Sequence, residues 1–186
     1  MTRPKCLITG SCYGLGQAFA HQFEPLFDII EYDLELGQDL NQAATRDQLI
    51  QDLADCTVFF NNCQVYQEEL LTRSFDLQNG LCIVNSSSAI DYYEDDLHLI
   101  PEWTRYIEEK RSLNQLVQQL HNQQNLGQNT NCWVLNLRMG WLATEEHSER
   151  QGVKIQPQDL ADLVYAVLTA SPRLLVQDLL VTGRSS

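Results

Sequence analysis

Thr9-Gly10-Ser11-Cys12-Tyr13-Gly14-Leu15-Gly16 joins two segments of different period. Before it, Lys5-Cys6-Leu7-Ile8-Thr9 is a short apolar run that stops at a glycine, as a buried strand does. After it, Leu15, Phe19, Ala20 and Phe23 recur at helical spacing from Gly14 until Pro25 ends the run. A strand, a glycine turn and a helix in that order make a seat for a pyrophosphate. Gly10 lets the chain leave the strand in a tight turn. Gly14 has no side chain to hold phosphate away, and Gly16 lets the helix pack closely on the sheet. The helix start adds free N–H groups and the positive end of its dipole. Gly10, Ser11, Tyr13, Gly14, Leu15 and Gly16 are therefore candidate cofactor-binding residues.

Asp28-Ile29-Ile30-Glu31-Tyr32-Asp33 reads as the second strand. It closes on Asp33, 17 residues past Gly16, where a carboxylate can accept hydrogen bonds from both hydroxyls of a ribose. A 2′-phosphate there would meet like charge. Residues 11 to 13 (Ser, Cys, Tyr) and 34 to 36 (Leu, Glu, Leu) supply no cation, so NAD(H) is favoured over NADP(H).

Beyond Asp33, Gly37-Gln38-Asp39-Leu40 reads as a very short third strand. Residues 42 to 54 form an amphipathic helix with Ala43, Leu49, Ile50 and Leu53 facing inward. Thr57 to Phe60 is a strand closed by Asn61-Asn62, Val65 to Phe75 a helix, and Leu81 to Asn85 a strand that ends in Ser86-Ser87-Ser88. A long helix fits Pro101 to about Gln124, with proline near its first turn. Cys132 to Leu137 is a strand, Pro157 to Ala170 a helix, and Leu174 to Val181 the last strand. Strands alternate with helices throughout, which argues for an α/β chain: a Rossmann-type doubly wound parallel sheet with helices on both faces. No linker or repeat divides it, so residues 1–186 are expected to form one domain.

Bulk properties narrow the partners. A net charge of −13, with three lysines, repels phosphate backbones and anionic membranes, so neither nucleic acid nor membrane is an expected partner. No apolar run approaches the roughly 18 residues of a membrane span, and the first residues lack the features of a signal peptide; a cytoplasmic location is expected. The six cysteines form no CxxC pair and have no histidine at metal-ligand spacing. Cys6, Cys56, Cys82 and Cys132 read as buried thiols in or beside strands, Cys12 and Cys63 as loop residues, and no metal site is expected.

A second constellation is Tyr106-Ile107-Glu108-Glu109-Lys110. Residues four apart share a helix face, so phenol and ammonium can project into one site. An ammonium so placed favours the phenolate, tuning the tyrosine as an acid/base.

Together these residues resemble the short-chain dehydrogenases/reductases. The resemblance rests on Thr9-Gly-x-x-x-Gly14-x-Gly16, Asp33, Asp39-Leu40, Asn61-Asn62, the serines at 86 to 88, Tyr106-x-x-x-Lys110 and Gly140-x-x-x-Thr144, in family order and across nearly the whole chain. It implies an NAD-dependent oxidoreductase that transfers hydride between nicotinamide and an alcohol/carbonyl substrate. Tyr106 would be the acid/base, Lys110 would tune it and hold the nicotinamide ribose, and Ser88 would polarise the substrate oxygen. Ser86 and Ser87 remain alternatives to Ser88. Asp39 and Leu40 would edge the adenine, Asn61 would flank the adenosine ribose, and Gly140, Leu142 and Thr144 would grip the carboxamide. A homodimer is also expected from the resemblance.

This is a shortened member of that pattern. Asn61-Asn62 is followed by Cys63-Gln64 where the family has Ala-Gly, and Met139 stands where it has proline. The helix that would carry a catalytic asparagine is too short; Asn79 does not match its position. An acidic, aromatic loop, Asp91 to His98, precedes Tyr106, and the stretch after Thr144, including His147, is brief. These departures raise the alternative of a dinucleotide-binding regulatory or sensor module without turnover.

Overall fold

Six of the apolar runs lie side by side as parallel strands in the computed structural model. The structure describes residues 2–89, 101–128, 131–144, 153–170 and 175–183, and only the backbone of 101–103. The elements run β1 (Lys5–Thr9), α1 (Gly14–Phe23), β2 (Asp28–Tyr32), a 3₁₀ turn (Leu34–Leu36), α2 (Ala43–Leu53), β3 (Cys56–Asn61), α3 (Gln67–Phe75), β4 (Cys82–Ser88), α4 (Pro101–Asn125), β5 (Trp133–Met139), α5 (Pro157–Leu168) and β6 (Asp178–Val181). The sheet order is β2-β1-β3-β4-β5-β6, and every pairing is parallel. The Rossmann-type reading of the sequence holds.

Alternation along each strand splits the core into two layers. Cys6, Ile8, Phe60, Val84 and Leu137 face the layer that also buries Phe19 of α1 and Leu160 of α5. Leu7, Phe59, Ile83 and Val134 face Leu49 of α2, Leu70 of α3 and Val117 of α4. Aromatic contacts seat α1. Phe19 stacks on Phe60 with centroids 4.1 Å apart, while Phe23 meets Phe60 edge-on at 4.9 Å and Tyr165 of α5 at 5.7 Å. These contacts hold the middle and end of α1 against β3 and α5.

Several boundaries differ from the sequence reading. No strand forms at Gly37 to Leu40, because local polar groups capture the backbone first. Asp33 caps the 3₁₀ turn by accepting from Glu35 N, Gly37 closes that turn at φ +83°, and Asp39 accepts from Asn41 N. In α2, Leu49 and Leu53 are buried as expected, Ile50 is half-buried, and Ala43 faces solvent in the first turn. The helix expected from Val65 begins at Gln67, since Tyr66 adopts φ +56°. The strand expected to end at Asn85 runs on through all three serines, because β5 continues to pair with it as far as Ser88↔Met139. Asp33 falls just outside β2, and α5 ends at Leu168.

Cys6, Cys56, Cys82 and Cys132 are buried, and Cys12 and Cys63 are half-buried; all six are free thiols. No helix among the described residues is long and apolar enough to cross a membrane. The loop Asp91 to His98, the stretch 145–152 with His147, and Leu174 lie outside the described residues.

Candidate active site

In an open parallel sheet the crevice for a ligand opens where neighbouring strands leave in opposite directions, beyond their carboxyl ends. Here that point lies between β1 and β3, and Thr9 ties the two strand ends together. Its buried Oγ1 donates to Phe60 O (3.1 Å) and accepts from Asn62 N (2.9 Å) and Cys63 N (3.1 Å). Thr9→Val keeps the shape and removes the hydroxyl, stranding two backbone donors. It is expected to lower stability by about 2 kcal/mol, with Thr9→Ser close to wild type, as read by urea denaturation. A Thr9→Val midpoint equal to wild type would show that the staple contributes nothing.

The glycine turn follows. Gly10 (φ +65°) and Gly14 (φ +55°) adopt left-handed backbone. A Cβ on Gly16 would overlap the carbonyl of Gly10, so the helix start sits directly on the strand end. A Cβ on Gly14 would instead point into a cleft, meeting only Thr144 Cγ2 at 3.3 Å. Tyr13, exposed on the cleft rim, gives α1 no side-chain cap, which leaves the first helical N–H groups for an anion. The cleft holds about 880 Å³, with Tyr13, Gly14 and Asn62 on one side and Leu142, Ala143 and Thr144 on the other. The opposing segment is anchored: Gly140 N donates to Val181 O, Ala143 N to Ile155 O, and Ile155 N to Trp141 O. An uncapped helix start, a glycine cradle and a cleft of this size fit the phosphates of a dinucleotide.

The remaining candidates divide. Asp33 reaches the glycine turn itself, with Oδ2 accepting from Cys12 N at 3.0 Å. Ser11 is buried in the turn, and Leu15 is part of the core, so each can offer a ligand only its backbone. Asp39 is bonded by both the N and Nδ2 of Asn41, which hold its carboxyl below its usual range. Leu40 buries its side chain under the sheet. Asn61 is fully buried: its Nδ2 donates to Gln67 O (2.9 Å) and Asn85 Oδ1 (3.1 Å) inside the protein. Its neighbour Asn62 lines the cleft and reaches Gly10 O at 3.4 Å. Strand parity carries that signal, because Asn61 is still within the β3 ladder and Asn62 is the first residue beyond it.

On α4, Tyr106 and Lys110 share a face as the spacing required, with Lys110 Nζ 5.6 Å from the centre of the Tyr106 ring. Burial of the ammonium pushes Lys110 down to about 8. Burial also pushes nearby Cys63 up to about 11, so it stays a thiol. Lys110 Nζ donates to Gln67 Oε1 at 2.9 Å. Nothing in the spacing of the sequence singles out Gln67, which stands at the first position of α3. Of the three serines, Ser87 donates to Asn114 of α4 at 2.6 Å, Ser86 is buried, and Ser88 is half-buried at the strand end.

Tyr106 and Lys110 line a second cleft of about 720 Å³ with Gln64, Tyr66, Glu109 and Leu113. The β3–α3 loop contributes to both clefts: Asn62 lines the first and Gln64 to Tyr66 line the second. Arg46 braces this loop, its guanidinium 3.9 Å above the Tyr66 ring and its Nη1 bonded to Leu40 O.

The solved structures that this chain matches share its fold. A short-chain dehydrogenase from Burkholderia cenocepacia in complex with NADP aligns with a TM-score of 0.73 at 13% identity, covering 97% of this chain and 88% of that one. The 3-ketoacyl-(acyl-carrier-protein) reductase of Brucella melitensis complexed with NADH aligns at 0.72 and 15% identity over 98% of both chains. Acetoin dehydrogenase from Enterobacter cloacae aligns at 0.70 and 19% identity over 98% and 95%. No protein-family model matches the sequence, and no curated protein matches it. The chain has the fold of the short-chain dehydrogenases/reductases in 186 residues.

Proposed function

We propose that this chain is an NAD-dependent oxidoreductase of the short-chain type, acting as one domain on an alcohol/carbonyl pair. The observation that carries the reading is the cleft between Gly14 and Thr144, at the uncapped start of α1. The solved neighbours include complexes with NADP and with NADH, so the fold is compatible with either. Within the cleft, the helix start and glycine turn would hold the phosphates, Asp33 the adenosine ribose, and Leu142 to Thr144 the carboxamide end. A bound nicotinamide would supply the two-electron chemistry. Tyr106 would exchange a proton with the substrate oxygen, and Lys110 would hold the phenol in its working charge state. Ser88 is the serine at the strand mouth, and it would donate to the same oxygen.

Cofactor choice gives the direct test. Asp33 faces the glycine turn and Glu35 follows it, so a 2′-phosphate there would meet two carboxylates. In titrations followed by nucleotide fluorescence, NADH is expected to bind about tenfold or more tightly than NADPH. Asp33→Ala should reduce that ratio to about threefold or less. Equal affinities in the wild-type protein would overturn the reading of Asp33. A second reading is a binding module without turnover, favoured by Tyr106 and Lys110 lining a different cleft from Gly14 and Thr144. Consumption of NADH with acetoin, ketosteroids or other carbonyls excludes it; tight NADH binding without any consumption selects it.

A further inference from the structure

We infer that Gln67 is the positioning residue for Lys110, its carboxamide held one way round by the ammonium and two backbone carbonyls, and that this direction is reinforced from the far edge of the sheet by Asp178, through Asn136 and Asn85. The catalytic meaning of this inference rests on the proposed function; its geometry does not.

Gln67 is buried at the head of α3. Its two ends see opposite surroundings. Oε1 accepts from the Lys110 ammonium. Nε2 donates to Asn61 O at 2.9 Å and Ser86 O at 2.5 Å, and reaches Asn85 Oδ1 at 3.5 Å. Turned over, the amide would set its oxygen against three oxygens and its NH₂ against an ammonium, so only one orientation is satisfied. An amide held in this way presents a fixed acceptor to the lysine and limits where the ammonium can go.

Asn85 is fixed in turn by a row of side chains crossing four strands. The register pairs Asn61 with Asn85, Asn85 with Asn136 and Asn136 with Asp178. Along that row Asn85 Nδ2 donates to Asn136 Oδ1 at 3.0 Å, and Asn136 Nδ2 donates to Asp178 Oδ1 at 3.2 Å. Asp178 also accepts from Gln118 of α4. The two ends of the chain are unambiguous: an ammonium can only donate and a carboxylate can only accept. From Lys110 through Gln67, Asn85 and Asn136 to Asp178, every donor points the same way. Bonds aligned head to tail polarise one another, and a buried carboxamide facing the wrong way would leave unpaired groups on both sides. A row that served only to hold strand register would need no common direction.

Among the described residues, the charged or titratable groups around the ammonium are Cys63 from the β3–α3 loop, Glu68 and Glu69 from α3, and Arg105, Tyr106 and Glu109 from α4. Gln67 Oε1, at 2.9 Å, is the acceptor hydrogen-bonded to the ammonium.

The test is an NMR titration of the full chain with isotope-labelled lysine, glutamine and asparagine side chains. The chain has three lysines, so Lys5→Arg and Lys154→Arg leave the Lys110 signal assigned. In the wild-type protein the side-chain nitrogen of Gln67 is expected to shift with the same midpoint as Lys110. Gln67→Met, which keeps length but removes the acceptor of the charged form, should lower the Lys110 midpoint by about one unit, a tenfold loss of proton affinity. Asp178→Asn, at the partly exposed edge, removes the acceptor-only end. It should move or double the side-chain amide signals of Asn136, Asn85 and Gln67. A Gln67 signal indifferent to the Lys110 titration, or a Lys110 midpoint unchanged in Gln67→Met, overturns the positioning role. Unmoved amide signals in Asp178→Asn overturn the remote control. The wild-type titration decides alone if Gln67→Met does not fold. Absence of turnover beside a coupled titration would sink the proposed function and leave this inference standing.

Discussion

Tyr106→Phe is expected to lower kcat for NADH-linked carbonyl reduction by about a thousandfold while leaving the Kd for NADH within about twofold. The change removes one oxygen atom and keeps the ring over which Lys110 sits, so the half-buried packing of the helix face survives. Tyr106 lines the second cleft and is not among the residues lining the glycine cleft. Binding and turnover should therefore separate in this variant as in no other. Stopped-flow oxidation of NADH with a carbonyl that the wild-type protein reduces gives the rate, and fluorescence titration gives the affinity. A kcat within tenfold of wild type would remove Tyr106 from the acid/base role. A parallel loss of NADH affinity would mean instead that the phenol belongs to the dinucleotide site.

Gly16→Ala is expected to cost about 3 kcal/mol and lower Tm by about 10 °C, whereas Gly14→Ala should cost about 1 kcal/mol and act mainly on the ligand. The two glycines do different work. A methyl group on Gly16 runs into the carbonyl of Gly10, and the carbonyl carbon lies only 2.7 Å away. Relief requires α1 to lift from β1, which pulls Phe19 and Phe23 off Phe60. At Gly14 the methyl group has room apart from Thr144, and the cost is the left-handed backbone that alanine tolerates poorly. The same methyl group stands where phosphate would lie, so NADH affinity should fall about tenfold or more with the fold intact. Thermal denaturation and NADH titration of both variants check the contrast. Equal losses of stability would show that α1 is not held by its contact with the strand.

Much of this was legible from residue order because the features concerned are local. The β1 run, the glycine turn and the period of Phe19 and Phe23 lie within 20 residues, and their chemistry needs no partner from elsewhere. Tyr106 and Lys110 were legible for the same reason, since one helical turn fixes their common face. Long-range pairing decided the rest. The serines after Asn85 look like the end of a strand until β5 is beside them. The seductive third strand at Gly37 to Leu40 loses to two aspartates that bond the backbone next to them. Asn61 and Asn62 are indistinguishable as letters and differ only in which one remains inside the ladder. Gln67 was invisible because a glutamine at the head of a helix acquires meaning only when α4 brings an ammonium 43 positions away to meet it.

The hydroxyl of Thr9 also dates the site in the history of the molecule. Its partner on β3 is 51 residues further along the chain, and the strand between them in sequence ends up on the opposite flank of β1. Closing a loop of that span is a slow event beside the winding of a helix. A nascent chain that has already made its glycine turn and first helix consequently owns no crevice. The crevice needs β3 docked and the Leu142 to Thr144 wall in place as well, so a ligand of this cleft is expected to bind the finished fold and not one still assembling.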